Sequence, residues 1–136
     1  MKYEIRQEFD EACDRVIDAM MHPEVAPFLT GKMKSLEEME LLERTEDDSK
    51  IVRQVRYRIR PVIEKIGPKK IPPEAFEWVE RSTFDKRARV MTYRNVPTKA
   101  KIAKMFENHG EIRILESGTR CVRVMSGELK IHFPLL

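Results

Sequence analysis

The sequence feature that most constrains the fold is the strongly alternating segment from Met33 to Arg60. It predicts two long strands joined by the acidic turn of residues 45–49. Side chains on a strand alternate between two faces, so the second arm has one apolar and one charged side. The odd positions are Ile51, Val55, Tyr57 and Ile59, and the even ones are Gln54, Arg56, Arg58 and Arg60.

Arg53 is the exception, because it falls among the apolar positions of this arm. Three interpretations stay open. In a cavity, its planar guanidinium would pair with a ligand carboxylate or phosphate. Otherwise it meets a carboxylate in the core, or lies in solvent at a strand edge.

The composition indicates one soluble domain. The chain has 136 residues, of which 41% are hydrophobic and 36% are charged. No apolar run approaches the ~20 residues that span a bilayer, and the charged start lacks the apolar core of a signal peptide. The cytoplasm is therefore the expected compartment. Cys13 and Cys121 belong to no metal-ligand spacing, so we expect buried, inert thiols and no metal or cofactor.

Upstream of the hairpin, the pattern predicts a strand followed by two helices. Residues 2–9 alternate cleanly, which indicates a strand with one buried face. Asp10 lies where an N-cap belongs, and an apolar stripe at helical spacing follows it. Pro23 ends this helix and opens a short second one through Phe28, which Gly31 closes.

Downstream of the hairpin, residues 61–73 contain four prolines and one glycine, which excludes a central strand. Long loops of this kind are often lids or binding loops. An ordinary surface connection, with its isoleucines packed into the core, is the alternative.

The rest of the chain predicts more antiparallel strands with hairpin-length links. Residues 99–106 fit a helical turn and a strand about equally, and Gly127 suggests a bulge or bend in the last strand. One strand, two helices and about six further strands make an α+β domain in which a helix covers one side of a sheet. The further strands are expected at 74–84, 88–95, 107–116 and 120–133, after the two of the hairpin.

Three stretches carry a resemblance to a known superfamily. They are YEIRQEFDEACDRVIDAMMHPEVAPFL, with its break at His22-Pro23-Glu24, FEWVERSTFDKRARVMTYRNV, and GELKIHFPL. The chain resembles the START-like, birch-pollen-allergen-like (SRPBCC, polyketide-cyclase-like) superfamily, and within it an uncharacterised bacterial branch. The resemblance implies a helix-grip fold over residues 1–136. Such a fold is a curved antiparallel sheet of about six or seven strands, with a helix pair between strands 1 and 2.

Members of this superfamily end in a long C-terminal helix that packs across the concave face of the sheet. This sequence stops after residues 131–136, where that helix would begin. We therefore expect a domain truncated before its C-terminal helix, or one whose concave face a partner covers.

The resemblance also implies that the protein binds a hydrophobic small molecule or lipid between sheet and helix. The wall of such a cavity is rich in aromatic and methionine side chains. A solid core built from the same residues is the alternative. The candidate ligand-binding residues are Arg53, Tyr57, Phe76, Trp78, Met91, Tyr93, Met105 and Met125.

Catalysis has little support in the sequence, and we expect no enzyme. The three histidines lie in separate segments, and no spacing predicts a partner for a general base. A cyclase- or hydrolase-like activity is an alternative that rests on the superfamily alone.

Two other partner classes can be weighed. Nucleic acid is not expected, because four acidic residues on the first arm can pair with the arginines of the second. Those acidic residues are Glu37, Glu38, Glu40 and Glu43. Self-association, or binding of another protein through an open sheet face, is a further alternative.

Overall fold

A computed structural model of the protein describes residues 1–61, 65–66, 68–72 and 76–132. Each predicted strand is present in it, and three helices accompany them. In chain order the elements are β1 (Lys2–Phe9), α1 (Cys13–Met21), α2 (Val25–Lys32), β2 (Leu36–Glu46), β3 (Lys50–Ile59), β4 (Lys65–Ile66), β5 (Lys69–Lys70), β6 (Glu77–Asp85), β7 (Val90–Pro97), α3 (Ala100–Ala103), β8 (Phe106–Ser117) and β9 (Arg120–Ile131).

Seven strands form one antiparallel sheet in the order β1-β9-β8-β7-β6-β3-β2. Within this sheet β2, β3, β6, β7, β8 and β9 follow one another as a meander, and the last strand returns to pair with the first. The helix pair α1–α2 lies between β1 and β2 in the chain and packs on one face, here called the inner face. The α+β, helix-grip prediction is therefore confirmed, with a sheet of seven strands.

The β2–β3 hairpin is the one that alternation predicts. Its ladder runs from Glu46 opposite Ile51 to Leu36 opposite Ile59, with irregularities after Leu36 and Leu41. Asp47 fixes the turn, since its Oδ1 accepts hydrogen bonds from the N–H groups of residues 49 and 50 at 2.8 and 2.9 Å.

The core lies between the inner face and the two N-terminal helices. Val55, Phe84 and Ile112 are each 1% exposed, and they come from three different strands. One cluster lies under α1 and a second under α2. The first is Cys13, Met21, Ile51, Phe84, Met91, Tyr93, Ile112, Ile114 and Cys121, and the second is Ala26, Leu36, Met39 and Val55.

The start of α1 differs from the prediction. Its N-cap is Ala12, which has no side chain able to cap the helix, and Asp10 instead lies 3.8 Å from Arg120. Three residues, 10 to 12, therefore separate the strand from the helix. The predicted end is correct. His22 is extended (ψ 136°), as a residue before proline prefers to be, and it ends the helix ahead of Pro23.

The prediction that Gly31 closes α2 is wrong. This helix runs on to Lys32, and Met33 closes it by donating its N–H to the carbonyl of Leu29 at 2.8 Å. A glycine ends a helix by adopting positive φ, and Gly31 does not do so.

β1 is less buried than its alternation predicts. Tyr3 and Phe9 are half-buried, but Ile5 is 50% exposed. The strand lies at the edge of the sheet, so it has a neighbour on only one side.

Gly127 marks a close approach and not a bulge. The β8–β9 ladder is unbroken from Phe106–Ile131 to Ser117–Arg120, with Gly127 opposite Gly110. A Cβ atom on Gly127 would lie 2.5 Å from the Tyr3 hydroxyl and 2.7 Å from the carbonyl oxygen of His109. Glycine is needed here because two strands and a ring meet without space for a side chain.

The proline-rich segment contains no strand of the main sheet among its described residues. It forms a small two-stranded ribbon of β4 and β5. The predictions for Val62, Ile63, Gly67 and Pro73 fall outside the described residues. Residues 99–106 combine both alternatives, because α3 is followed by the start of β8 at Phe106.

Candidate ligand-binding cavity

A cavity of about 740 Å³ lies between the inner face of the sheet and the helices α1 and α2. Side chains from both helices and from every strand of the main sheet line it. Alternation explains how the strands contribute, since every second residue of each strand projects toward the helices. Most of the wall is apolar, and the polar groups gather at a few positions.

Five of the eight predicted site residues lie on the wall of this cavity. Tyr57 and Trp78 face each other across the β3–β6 ladder, and their rings stack with centroids 5.6 Å apart. The five are Arg53, Tyr57, Trp78, Met91 and Met125.

The other three predicted residues do not line the cavity. Phe76 is half-buried before β6, and Met105 lies between α3 and β8. Tyr93 is on the inner face but only 5% exposed, because its ring packs into the core beneath the helices. Its hydroxyl lies 2.6 Å from the hydroxyl of Tyr3, and burial raises its pKa.

Arg53 is buried, at 4% exposure, which excludes a solvent-facing strand edge. Its Nη1 donates to the carbonyl oxygen of Met20 at 3.3 Å, and its Nη2 lies 4.0 Å from Oε1 of Glu80. The interpretation that it meets a core carboxylate is therefore correct, although no hydrogen bond joins the pair. Its Nε has no hydrogen-bond partner among the described residues.

Glu80 lines the cavity from β6, and sequence reasoning missed it. Its Oε1 is buried without a hydrogen-bond partner among the described residues. Burial raises the pKa of its carboxyl above the ordinary value, although Arg53 and Arg123 act in the opposite direction. Burial also raises the pKa of the Tyr57 hydroxyl, with Glu80 adding to that effect.

Arg123 lines the cavity from β9 and was missed as well. Its Nη1 donates to Oε1 of Gln7 at 2.7 Å, and its Nε lies 3.5 Å from the sulfur of Met20. Burial lowers the pKa of its guanidinium, although Glu80 acts in the opposite direction.

Arg53 was noticed because it is a charged residue at an apolar position of an alternating strand, and the same holds for both missed residues. Glu80 has the same parity as Trp78 and Phe84, and Arg123 has the same parity as Cys121 and Met125. In β9 the signal is masked, since Val122 and Val124 make the other parity apolar too.

Other site classes have no support in the described part of the chain. It contains no group of three or more His, Cys, Asp or Glu side chains that could hold a metal ion. No helix within it is long and apolar enough to cross a membrane. On the outer face of the hairpin, Arg56 pairs with Glu38 and Glu40 at 2.5 and 2.6 Å, as a salt-bridged surface predicts.

No family model matches the sequence, and no curated protein matches it significantly. Solved structures do match. The ZhuI aromatase/cyclase from Streptomyces sp. R1128 is 18% identical with a TM-score of 0.67, over 98% of this chain and 70% of that one. Norcoclaurine synthase from Thalictrum flavum, in complex with dopamine and hydroxybenzaldehyde, is 14% identical with a TM-score of 0.66, over 96% and 69%.

A third similar structure is the major latex-like protein 151 of Panax ginseng. It is 11% identical with a TM-score of 0.57, over 96% of this chain and 79% of that one. Identities this low demonstrate a shared fold and carry no statement about activity. The chain therefore shares the helix-grip fold of these structures, which is the fold that its resemblance to START-like, birch-pollen-allergen-like proteins predicted.

Proposed function

We propose that this protein binds a hydrophobic small molecule or lipid in the cavity between its sheet and its helix pair. One observation carries the proposal, which is a largely apolar space of about 740 Å³ beneath α1 and α2. Cavities of this size with a few polar groups are typical of small-molecule sites. A solid core would fill the same space with side chains.

The chemistry of the wall supports this function. Four of the eight methionines of the chain line the cavity, and their flexible side chains adapt to irregular shapes. They are Met20, Met39, Met91 and Met125. The stacked rings of Tyr57 and Trp78 add a flat apolar surface. A structure of the same fold holds dopamine and hydroxybenzaldehyde.

Trp78 makes the proposal easy to test, because it is the only tryptophan of the chain and lies on the cavity wall. The neutral dye N-phenyl-1-naphthylamine would be titrated into the protein. We expect saturable dye emission, with quenching of Trp78 by energy transfer at one dye per chain. Dye emission that rises without saturation, or without quenching, would contradict the proposal.

A matched pair of variants locates the dye. Ala19 lines the cavity from α1, so Ala19→Phe should occupy part of the space and weaken dye binding about tenfold. Ala88 lies exposed in the turn between β6 and β7, away from the cavity, so Ala88→Phe should bind as the wild type does. Equal effects of the two changes would show that the dye binds elsewhere.

An enzymatic role of the cyclase or hydrolase type is the second candidate, and Glu80 favours it. A buried carboxyl with a raised pKa in a cavity is suited to general acid–base chemistry. Hydrolysis of p-nitrophenyl decanoate provides a first test. This candidate predicts a faster rate with the wild type than with Glu80→Gln, and equal rates would count against it.

A further inference from the structure

Charge is unevenly balanced inside the cavity. Five charged side chains line it, namely Glu11, Arg15, Arg53, Glu80 and Arg123. Glu11 and Arg15 pair with each other across one turn of α1 at 3.4 Å, and both are largely exposed. Arg53 faces Glu80 at 4.0 Å. That leaves Arg123, which makes no ion pair with any carboxylate of the described residues.

The surroundings of Arg123 favour an anion. It is half-buried, and its two hydrogen-bonding contacts are with neutral groups, the amide oxygen of Gln7 and the sulfur of Met20. Its Nη2 makes no hydrogen bond within the described part of the chain. Glu80 attracts this half-buried cation but makes no ion pair with it, so an anion arriving at this position is stabilised.

A second polar group lies in the same wall without a partner. The Nε–H of Arg53 is buried and donates to no atom of the described residues, although the side chain is only 4% exposed. Besides the Glu11–Arg15 pair, the cavity wall therefore carries two guanidinium groups and only one carboxylate. With Glu80 ionised, the excess is one positive charge. One negative charge on a ligand balances it, while a second would meet Glu80 unfavourably.

We propose that the natural ligand is an apolar monocarboxylic acid whose body lies among the methionine and aromatic side chains and whose carboxylate pairs with Arg123. This inference rests on the proposed function and names the chemical class of its ligand. Arg53 contributes to the field at the carboxylate, and Glu80 limits the charge that the site accepts to one.

Three probes with the same alkyl chain test the charge requirement. Decanoate, decan-1-ol and decyl phosphate would each displace N-phenyl-1-naphthylamine from the wild-type protein at neutral pH. A charge-assisted hydrogen bond predicts that decanoate binds about tenfold more tightly than decan-1-ol. Tighter binding of decyl phosphate than of decanoate would overturn the assignment of a single negative charge.

Two variants assign the preference to its residues. Arg123→Met replaces the guanidinium by an apolar side chain of similar length, so the preference for decanoate over decan-1-ol should disappear. Arg94→Met is the control, because Arg94 is exposed on the outer face of β7. Glu80→Gln should increase the preference for decanoate over decan-1-ol, a gain that a purely structural role would not produce.

The outcomes separate the inference from the proposed function. Equal affinities of decanoate and decan-1-ol in the wild type would overturn the inference while leaving an apolar ligand site in place. A preference that survives in Arg123→Met would overturn it as well. Failure of both the dye and decan-1-ol to bind would contradict the proposed function itself. The wild-type comparison needs no variant, so it remains decisive even if Arg123→Met folds poorly.

Discussion

At the scale of single residues, the charged side chains of the inner face determine the chemistry of the cavity. A buried charge costs free energy that only hydrogen bonds and counter-charges offset. Arg53 and Glu80 attract each other at 4.0 Å, too far for a hydrogen bond, and atoms of both lack hydrogen-bond partners among the described residues. A charged pair with unsatisfied hydrogen-bonding atoms contributes little to the stability of a fold, and it leaves those atoms available to bind a ligand.

The raised pKa of Glu80 predicts a pH dependence of stability. The carboxyl of the unfolded chain titrates near 4.5, and that of the native state titrates at higher pH. Between the two values the native state binds more protons, so this residue's contribution to the free energy of unfolding decreases as pH rises through the window. The groups that face it are Arg53, Arg123, Tyr57 and Tyr93.

Urea unfolding of the wild type and of Glu80→Gln measures this effect. The stability of the wild type relative to the variant should be greatest near the lower end of the window and should decline toward neutral pH. Taking the difference between the two proteins removes the contributions of all other titrating groups. A difference that stays constant or grows with pH would show that the native pKa is not raised.

Glycine positions provide a second prediction at this scale. A Cβ on Gly110 would collide with the backbone oxygen of Ser126 and lie 2.5 Å from the Tyr93 hydroxyl, so Gly110→Ala should destabilise by about 1–3 kcal/mol. Gly31 has open space around it inside α2, so Gly31→Ala should stabilise by about 0.5–1 kcal/mol. The urea midpoints of the two variants measure these effects. A shift of both midpoints in the same direction would be inconsistent with this packing.

At the scale of elements, most of the architecture could be predicted from local pattern. Alternation over Met33–Arg60 predicted both arms of the hairpin, and Pro23 predicted the break between the helices. The errors occurred where the same residue type is compatible with more than one local structure. A polar residue before a helix need not cap it, as Asp10 shows, and glycine in a helix need not end it, as Gly31 shows.

The site could be predicted only in part, because parity separates inner from outer residues but not wall from core. Trp78 and Tyr93 both lie at inner-face positions of their strands, yet Trp78 lines the cavity and Tyr93 is packed in the core beneath α1. Whether an inner-face side chain lines the cavity or packs in the core depends on contacts between elements that are distant in sequence. Tyr93, for example, needs Gly110 opposite it and the Tyr3 hydroxyl beside it.

This difference predicts opposite phenotypes for two alanine variants. Trp78→Ala removes a wall residue, so it should weaken binding of N-phenyl-1-naphthylamine about tenfold at a modest cost in stability. Tyr93→Ala removes a buried ring and should destabilise by about 3–5 kcal/mol, with little change in the affinity of the folded fraction. Dye emission and urea unfolding measure the two quantities. If Trp78→Ala bound the dye as the wild type does, the ring would belong to the core.

At the scale of the whole molecule, the cavity results from how two layers are spaced. The sheet, the helix pair and the apolar side chains between them are each predictable, but the volume left between them is a property of their packing. Phe28 on α2 is part of the wall and 62% exposed, which shows that the cavity reaches the surface on that side. Self-association through an open sheet face stays a prediction.

The most direct test of a ligand site between sheet and helices uses the methionine methyl groups as reporters. Of the eight methionines, four line the cavity, Met21 is buried in the core, and Met1, Met33 and Met105 serve as references because they do not line the cavity. In a methyl NMR titration with decan-1-ol, we predict that the signals of Met20, Met39, Met91 and Met125 shift together and saturate. The signals of Met1, Met33 and Met105 should stay in place. Shifts confined to Met1, Met33 or Met105, or no saturable shift at all, would contradict the account.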